Sequence, residues 1–350
     1  LGYQLAAEIE PVLNLPADDV LPAAFAVRCP AAIVHDHVDR QTWLVAEGGA
    51  AIDPDQVMDD IRRAAGESRT QPGPPPDAAT REEDDEHFLR AVKQAKDYIA
   101  AGDIYQANLS RGWTTEFTDE RDAAQLYAAL SGANPAPFAG LARWRDTAII
   151  SSSPERLLEV RDGVASTRPI AGTRPRASNR DDDDRLSVEL FANAKERAEH
   201  IMLIDLERND LGRVCEAGTV EVDEMMALES YAHVHHIVSN VRGRLREGIA
   251  PGEAIRAVFP GGTITGCPKV RCMEIINELE GGARGAYTGS FGYLNRDGSL
   301  DLNILIRTMV LQGRWLTLRA GAGIVADSEP QAELAETRAK AEGMLRSLLA

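Results

Sequence analysis

Segments with the periodicity of helices and segments with the periodicity of strands follow one another irregularly in this chain, and this irregularity constrains its fold more than any other feature. A helical pattern of apolar residues runs over 88–99 and ends at Gly102, and the stretch 103–110 is typical of a strand. A regular alternation of single strands and helices, which would indicate a doubly wound parallel sheet, is missing. The sequence also contains no internal repeat. It therefore predicts the α+β class.

The order of the segments predicts three regions. Residues 1–65 are expected to be a partial N-terminal region, with two strands and a connecting helix at 31–34, 42–46 and 54–65. Residues 66–86 are rich in Pro, Gly, Ser, Thr and acidic residues, which favours a linker. Residues 87–350 are expected to form the main core. Because the chain begins with Leu1 rather than Met, we expect that residues upstream of it have been removed.

The composition excludes two classes of partner. The chain of 350 residues is 44% hydrophobic with a formal net charge of −17, so it can bury a large core but offers no broad basic surface for nucleic acids or acidic membranes. It has neither a run of ~18 apolar residues that could span a membrane nor a signal peptide. The cysteines form no CxxC pair and have no zinc spacing, which predicts reduced thiols and a cytoplasmic protein. They are Cys29, Cys215, Cys267 and Cys272.

Two stretches, 169–176 and 321–340, indicate the chemistry of a binding site. Together they supply glycine-rich backbone, arginines and paired carboxylates, a combination that suits a small polyanionic substrate held through a divalent metal. In the second stretch a helix is predicted to begin near Pro330. At about 100° per residue, its period places three charged side chains on one face: Glu333, Glu336 and Lys340.

The carboxylates of this helix allow two interpretations. Glu199 opens another helical pattern, and Mg²⁺ usually takes one or two protein carboxylates plus waters and substrate oxygens, so Glu199 and Glu336 are candidate magnesium ligands. A plainer interpretation is that Glu336 and Lys340 form an i,i+4 ion pair on a solvated face, worth only about 0.3–0.5 kcal/mol. The residues by themselves leave both interpretations open.

Two polar runs contain residue types that can bind metals, but each has a simpler interpretation. The acidic run 181–184 is predicted to be a solvated loop, because consecutive residues do not face one point. A cluster of histidines has no cysteine or acidic ligand at zinc spacing, which favours one catalytic histidine with a structural neighbour. These histidines are His233, His235 and His236.

The glycines of 261–266 have the spacing of a nucleotide phosphate loop, but the Lys-Ser or Lys-Thr pair that such a loop requires does not follow them. We therefore exclude ATP and GTP binding. What is left is a glycine-rich turn before a helix that begins near Pro268, and this turn either receives a carboxylate on its backbone N–H groups or is purely structural.

Seven segments, taken in order, resemble those of the chorismate-utilising enzymes, and specifically the synthase subunits of anthranilate synthase and aminodeoxychorismate synthase. The resemblance covers residues 85–348. The segments that carry it lie at 102–106, 152–156, 169–176, 199–210, 236–239, 259–271 and 321–340.

This resemblance implies a fold with two mainly antiparallel sheets packed on each other, with helices outside and the active site between the sheets. In such a fold 66–86 would be an excursion rather than a domain boundary. The resemblance also implies that chorismate is the substrate and Mg²⁺ the cofactor. The implied metal ligands, which would hold Mg²⁺ on the ring carboxylate of chorismate, are Glu199, Glu333 and Glu336.

Further roles follow from the matching positions. Glu155 would be the general acid that protonates the departing C4 hydroxyl, and His236 would assist proton transfer near the ring. The enolpyruvyl carboxylate would be bound by side chains of Tyr287 and Arg307 and by backbone N–H groups at Gly321 and Gly323. The remaining implied contacts to the ring and its surroundings are Gly172, Thr173, Thr263 and Lys340.

The nucleophile is indicated by Gln106. Members of this group that make isochorismate or salicylate activate water with a lysine at the matching position, whereas a carboxamide is not a base at neutral pH. We therefore expect ammonia as the nucleophile. Because the chain carries no glutaminase signature, a separate glutamine amidotransferase subunit that supplies ammonia is implied.

The resemblance is divided on which carbon is aminated. Ala171 resembles anthranilate synthases, because many aminodeoxychorismate synthases have a lysine there that attacks C2. The segments 137–140, 235–239 and 263–272 resemble aminodeoxychorismate synthases more closely. We expect amination at C4, which gives 4-amino-4-deoxychorismate for p-aminobenzoate and folate. The alternatives are amination at C2 with pyruvate release, for tryptophan, and a catalytically inactive binding homologue.

Overall fold

The computed structural model describes residues 1–66, 78–177, 179–230 and 234–349. Its α-helices are α1 (Ala6–Ile9), α2 (Pro54–Gly66), α3 (Asp85–Ala101), α4 (Ala123–Ala133), α5 (Arg180–Ala192), α6 (Ala194–Gly212), α7 (Pro251–Val258), α8 (Lys269–Glu280) and α9 (Pro330–Ser347). Its strands are β1 (Ala31–Asp36), β2 (Gln41–Ala46), β3 (Ala78–Glu82), β4 (Gln106–Phe117), β5 (Phe138–Trp144), β6 (Thr147–Ser153), β7 (Arg156–Arg161), β8 (Val164–Arg168), β9 (Ile170–Pro175), β10 (Glu221–Ser230), β11 (Val234–Arg244), β12 (Gly266–Cys267), β13 (Ser290–Leu294), β14 (Leu300–Ile304), β15 (Thr308–Gln312) and β16 (Trp315–Ile324).

Two large sheets organise the described part of the chain. The first sheet has the strand order β10-β11-β8-β7-β14-β13, with β9 paired to β11 beside β8. The second sheet has the order β12-β4-β16-β15-β6-β5, with β3 paired to β4. Neighbouring strands run antiparallel, and β1 and β2 form a separate hairpin. The predicted α+β class with mainly antiparallel sheets is confirmed.

Helices pack on both sheets through apolar side chains. Leu109 of β4 and Ile275 of α8 belong to one buried cluster that also contains α3. Leu158 of β7 and Leu211 of α6 belong to another, and Met344 of α9 packs in a third with strands of the second sheet. None of the described helices combines the length and the apolar character needed to cross a membrane.

The helix and strand signals of the sequence produce the expected elements. Asp84 caps α3 by accepting a hydrogen bond from the backbone N–H of Glu86, and the helix ends at Gly102, whose φ of 83° is left-handed. The glycine-rich turn after residue 261 leads into α8 with Pro268 at its N-cap, and α9 begins at Pro330.

Two chain segments cross side by side from one sheet to the other. One leads from β6 to β7 and the other from β14 to β15, and in each sheet the two strands involved are hydrogen-bonded neighbours. The N–H of Ile304 donates to the carbonyl of Glu155 at 3.0 Å, and the N–H of Ser152 donates to the carbonyl of Arg307 at 3.0 Å. Glu155 and Arg307 are therefore held together at the junction of the two sheets.

The structure corrects two expectations. The run 181–184 is not a loop but lies in the first turn of α5, where the side chain of Asn179 accepts a hydrogen bond from the backbone N–H of Asp182 and the helix dipole favours acidic residues. The stretch 66–86 holds more than a linker, because β3 pairs with β4 and extends the second sheet. Its polar sequence hid this strand, which lies at the edge of the sheet; residues 67–77 lie outside the described chain.

Candidate active site

Glu155 is a buried carboxyl group in the junction between β6 and β7, with 5% exposure. Its Oε1 atom has no hydrogen-bond partner among the described residues. Burial raises the pKa of Glu155 to about 7, against the opposing effects of the Thr263 hydroxyl, the backbone at Ile170 and the charge of Lys340. A substantial fraction of Glu155 is therefore protonated at neutral pH, as a general acid requires.

Arg307 occupies the adjacent junction, between β14 and β15. Its backbone is left-handed, with φ at 51°, a conformation that non-glycine residues avoid and that is found at sites where geometry serves function. Burial lowers its pKa, while Tyr287 and Glu336 nearby act in the opposite direction. Its guanidinium donates to the carbonyl of Lys340. Arg307 is thus a half-buried cation suited to binding a carboxylate.

Lys340 ties α9 to the second sheet. Its Nζ atom donates to the carbonyl of Gly321 at 3.0 Å and lies 2.7 Å from Oε1 of Glu336. The i,i+4 ion pair that the sequence allowed is therefore formed, with both side chains partly exposed. The pair does not stand on an isolated surface, because the same ammonium group contacts β16.

Gly321 and Gly323 of β16 leave room for polar side chains. The position that a Cβ atom would take on Gly323 is 2.7 Å from Nε2 of Gln106. The corresponding position on Gly321 is 2.7 Å from the Tyr287 hydroxyl and 2.8 Å from Oδ1 of Asn108. The two glycines thus open space that two carboxamides and a phenol occupy.

His236 lies on β11, with its backbone in register with Thr173 of β9. Its Nδ1 atom is 3.4 Å from the carbonyl of Gly172, and burial lowers its pKa, which favours the neutral ring. Gly172 has a φ of 66°, and a Cβ atom there would be 2.3 Å from Oε2 of Glu196, so glycine is required. The adjacent Ala171 is buried, with 9% exposure.

His235, the neighbour of His236, is held by hydrogen bonds to two side chains. Its Nε2 atom hydrogen-bonds Oδ1 of Asp183 at 3.0 Å, and its Nδ1 atom hydrogen-bonds the Ser230 hydroxyl at 2.7 Å. Asp183 also pairs with Arg176. His233 lies outside the described residues.

The carboxylates predicted to hold Mg²⁺ lie on two helices, Glu199 on α6 and both Glu333 and Glu336 on α9. The described part of the chain contains no cluster of three or more His, Cys, Asp or Glu side chains arranged to bind a metal by themselves. The donor set still fits Mg²⁺, which needs only one or two protein carboxylates when substrate oxygens and waters complete its shell. Glu336 already faces a cation, the ammonium group of Lys340.

Asn108 and the groups that hold it were not identified from the sequence. Arg284 is buried beside Glu280 and donates to the carbonyls of Asn108 at 2.6 Å and Ile264 at 3.1 Å. It therefore fixes β4 to the turn that carries Thr263. Alternation along β4 could have identified Asn108, because residues two apart in a strand face the same side and Gln106 was already a candidate.

Glu207 of α6 was also missed. Burial and the charge of Asp210 raise its pKa to about 8, and the position of a Cβ atom on Gly262 would be 3.3 Å from its Oε1 atom. Asp210 in turn pairs with Lys269. A second protonated carboxyl group therefore lies beside the turn that carries Thr263; it belongs to the segment 199–210, but no role was assigned to it from the sequence.

Comparison with known proteins decides the family. The family described as chorismate binding enzyme matches residues 1–346 of the chain. The chain belongs to the chorismate-binding enzyme family. Within this family it is a chorismate-utilising enzyme of the group that contains anthranilate synthase and aminodeoxychorismate synthase, as its relatives show.

Relatives of both kinds cover almost the whole chain. The chorismate-binding enzyme is 46% identical to the anthranilate synthase component I-like protein of Synechocystis sp., over 99% of this chain and 71% of the relative. It is 41% identical to aminodeoxychorismate synthase component 1 of Bacillus subtilis, over 99% of this chain and 76% of the relative. The crystal structure of anthranilate synthase component I from Streptococcus pneumoniae has a TM-score of 0.85 and 31% identity, over 98% of this chain and 79% of that one.

Proposed function

We propose that this chorismate-binding enzyme is a synthase subunit that replaces the C4 hydroxyl of chorismate with ammonia to give 4-amino-4-deoxychorismate. The observation that carries the proposal is the buried, partly protonated Glu155, and the non-basic Gln106 supports it. The first can act as an acid, and the second cannot activate water. In the overall reaction chorismate and ammonia give the aminated product and water.

Glu155 would supply the proton that the leaving hydroxyl needs. Its carboxyl group is protonated to a useful extent near neutral pH because it is buried. As the C4–O bond breaks, the proton passes to the oxygen, which leaves as water. The nitrogen that has formed the new C–N bond carries one proton too many, and this proton can return to the Glu155 carboxylate, so the site is ready for another turnover.

Arg307, Tyr287 and Lys340 would orient the substrate. Arg307 is a half-buried cation near Tyr287 and Glu336. Burial raises the pKa of Tyr287 to about 12, which keeps its hydroxyl a donor. A guanidinium and a phenol suit the enolpyruvyl carboxylate. His236, Gly172, Thr173 and Thr263 would line the ring, with the neutral imidazole available for proton transfer.

Mg²⁺ would be held by Glu199 and Glu336 together with the ring carboxylate of chorismate, with Glu333 beside them. When bound, it would neutralise that carboxylate and fix its orientation. The chain's own contribution is the placement of two of these carboxylates on one face of α9, where Lys340 also contacts Gly321.

A glutamine amidotransferase subunit would supply the ammonia. The sequence itself offers no cysteine nucleophile with the His and Glu pattern of a glutaminase. Several relatives are named as component I or component 1 of a synthase, which supports the proposal that a second component exists.

Anthranilate synthesis is the second candidate, because one observation favours it. Ala171 lies in β9 next to Gly172, at the position where many aminodeoxychorismate synthases have a lysine. Amination at C2 would then proceed without an enzyme-bound adduct and would release pyruvate. We prefer the C4 product because the segments 137–140, 235–239 and 263–272 resemble aminodeoxychorismate synthases.

Replacement of Gln106 by lysine tests the choice of ammonia. An amine held in this buried position has a lowered pKa and can activate water. We expect Gln106→Lys to form isochorismate that the unmodified protein does not make, measured by chromatographic separation of the products. Isochorismate as the main product of the unmodified protein would refute the proposal.

A further inference from the structure

Two carboxamides stand next to each other on β4, and the oxygen of each has no hydrogen-bond partner among the described residues. Gln106 and Asn108 are two residues apart, so their side chains share one face of the strand. Both are buried, at 6% and 9% exposure. Within the described chain, neither Oε1 of Gln106 nor Oδ1 of Asn108 has a donor. Because buried polar groups in native proteins are nearly always satisfied, this pair indicates a small ligand that donates hydrogen bonds.

The position of the pair connects it to the proposed substrate site. Oδ1 of Asn108 and the Tyr287 hydroxyl lie 2.8 and 2.7 Å from the same point, the place of the missing Cβ atom of Gly321. Nε2 of Gln106 lies 2.7 Å from the equivalent point on Gly323. A molecule between the two carboxamides would thus be adjacent to the groups that are expected to hold the enolpyruvyl end of chorismate.

The chemistry of the pair suits ammonia. Ammonia has three N–H donors and one lone pair, so acceptors that bind its hydrogens leave the lone pair directed at the ring. Amide oxygens accept without carrying a charge, whereas a carboxylate would stabilise ammonium, whose lone pair is already used. The charged side chains with contacts here occur as ion pairs: Arg284, which donates to the Asn108 carbonyl, pairs with Glu280, and Lys340, which donates to the Gly321 carbonyl, pairs with Glu336. Because each carboxylate already has a cation as its partner, these groups do not favour ammonium over ammonia.

We propose that Asn108, together with Gln106, forms the subsite that binds ammonia, and that Asn108 sets the affinity of the enzyme for this nucleophile. The proposal rests on the proposed function, in which ammonia is the second substrate. It assigns Asn108 a role in binding ammonia and none in binding chorismate.

Steady-state kinetics with ammonium chloride test this role. In Asn108→Leu, a side chain of similar shape cannot accept a hydrogen bond, so we expect the KM for ammonia to rise about tenfold. The KM for chorismate should change less than about twofold. Thr115→Val serves as the control. It removes a buried hydroxyl from the same strand, but this hydroxyl hydrogen-bonds the hydroxyl of Thr80 and lies outside the proposed subsite.

A second variant covers the case in which Asn108→Leu does not fold. Asn108→Asp keeps the shape and replaces the neutral acceptor with a carboxylate that retains ammonium, so at fixed total ammonium the rate should fall and its pH optimum should move upward. An unchanged KM for ammonia in a folded variant, or a rise in the KM for chorismate alone, would overturn the proposal. If the unmodified protein makes no aminated product from ammonium, the proposed function itself fails, and this outcome is seen before any variant is measured.

Discussion

The carboxamide of Gln106 occupies the space beside Gly323 that any other residue at position 323 would fill. Its Nε2 atom is 2.7 Å from the place where a Cβ atom on Gly323 would be, although the two residues lie on neighbouring strands, β4 and β16. We propose that Gln106 decides between water and ammonia as the nucleophile. Its position therefore depends on the space left by a glycine more than two hundred residues away in sequence.

Gly323→Ala should displace Gln106. Because the conflicting atom is the end of a flexible side chain, the fold should survive, with a loss in unfolding free energy of about 1–3 kcal/mol. The amination rate with ammonium should fall about tenfold or more. Gly132→Ala in α4 is the control, since a Cβ atom there meets nothing within 4 Å. Normal kinetics in Gly323→Ala would show that the position of Gln106 does not matter.

Glu155→Gln should remove the general acid of the reaction. The pKa of Glu155 is raised to about 7, so the protonated form is lost as pH rises through that value. With the concentration of unprotonated ammonia held constant, the rate of the unmodified protein should decline above about pH 7. Glu155→Gln should be slower by a factor of about 100 or more, with this decline absent. An unaltered pH profile in the variant would exclude Glu155 as the acid.

The same shift predicts how stability depends on pH. The pKa of Glu155 rises from 4.5 when unfolded to about 7 when folded, so between these values the native protein binds more protons. The stability that belongs to this group is complete below about pH 4.5 and is lost as pH rises through about 7, by at most about 3 kcal/mol. Chemical denaturation at pH 5 and pH 8 should therefore show a larger loss of unfolding free energy between these pH values in the unmodified protein than in Glu155→Gln. Equal pH dependence in both would contradict the raised pKa.

Glu336→Gln tests the metal assignment. Removing one hard oxygen ligand should raise the Mg²⁺ concentration needed for half-maximal turnover about tenfold or more. Because the ion pair with Lys340 is partly exposed, the unfolding free energy should change by at most about 1 kcal/mol. Glu342→Gln, which breaks the pair with Arg346 on the same helix, is the matched control. A Mg²⁺ requirement equal to that of the control would remove Glu336 from the site.

Much of the fold was predictable from local signals. The helix over 88–99 and the strand that follows it could be identified because their patterns are determined by neighbouring residues, and Gly102 marks the boundary by its left-handed backbone. The edge strand β3 could not, because it is polar and owes its existence to pairing with β4. Its pairing partner lies far along the chain, so no local pattern shows it.

The site was predictable only where motifs mark it. Glu155 and Gln106 belong to such segments, whereas Arg307 lies outside them and was named from a single matching position. The structure places Glu155 and Arg307 in adjacent junctions between the two sheets. Asn108 lies outside these segments, on the same face of β4 as Gln106, and Glu207 lies within the segment 199–210. Neither was assigned a role, because the missing hydrogen-bond partner of Asn108 and the raised pKa of Glu207 arise only in the tertiary structure. The space that two glycines on β16 leave for two carboxamides on β4 could not be predicted from the sequence, because it depends on the pairing of these two strands.

Ala171→Lys tests the choice of carbon. A lysine at this buried position would need a neutral amine to attack C2, and burial favours that form. If the enzyme aminates C4, the variant should keep 4-amino-4-deoxychorismate as its product. Mass spectrometry would detect an adduct between the new lysine and chorismate. Borohydride should not change this adduct, because its C2–N bond is a single bond. Loss of anthranilate in the variant, after its formation by the unmodified protein, would show that Ala171 marks an anthranilate synthase.

The most direct test is the product that the unmodified, purified chain makes from chorismate, Mg²⁺ and ammonium chloride, without a glutaminase subunit. Chromatography with mass detection separates the three products that matter. The account predicts 4-amino-4-deoxychorismate. Anthranilate with pyruvate would contradict amination at C4, and isochorismate would contradict ammonia as the nucleophile.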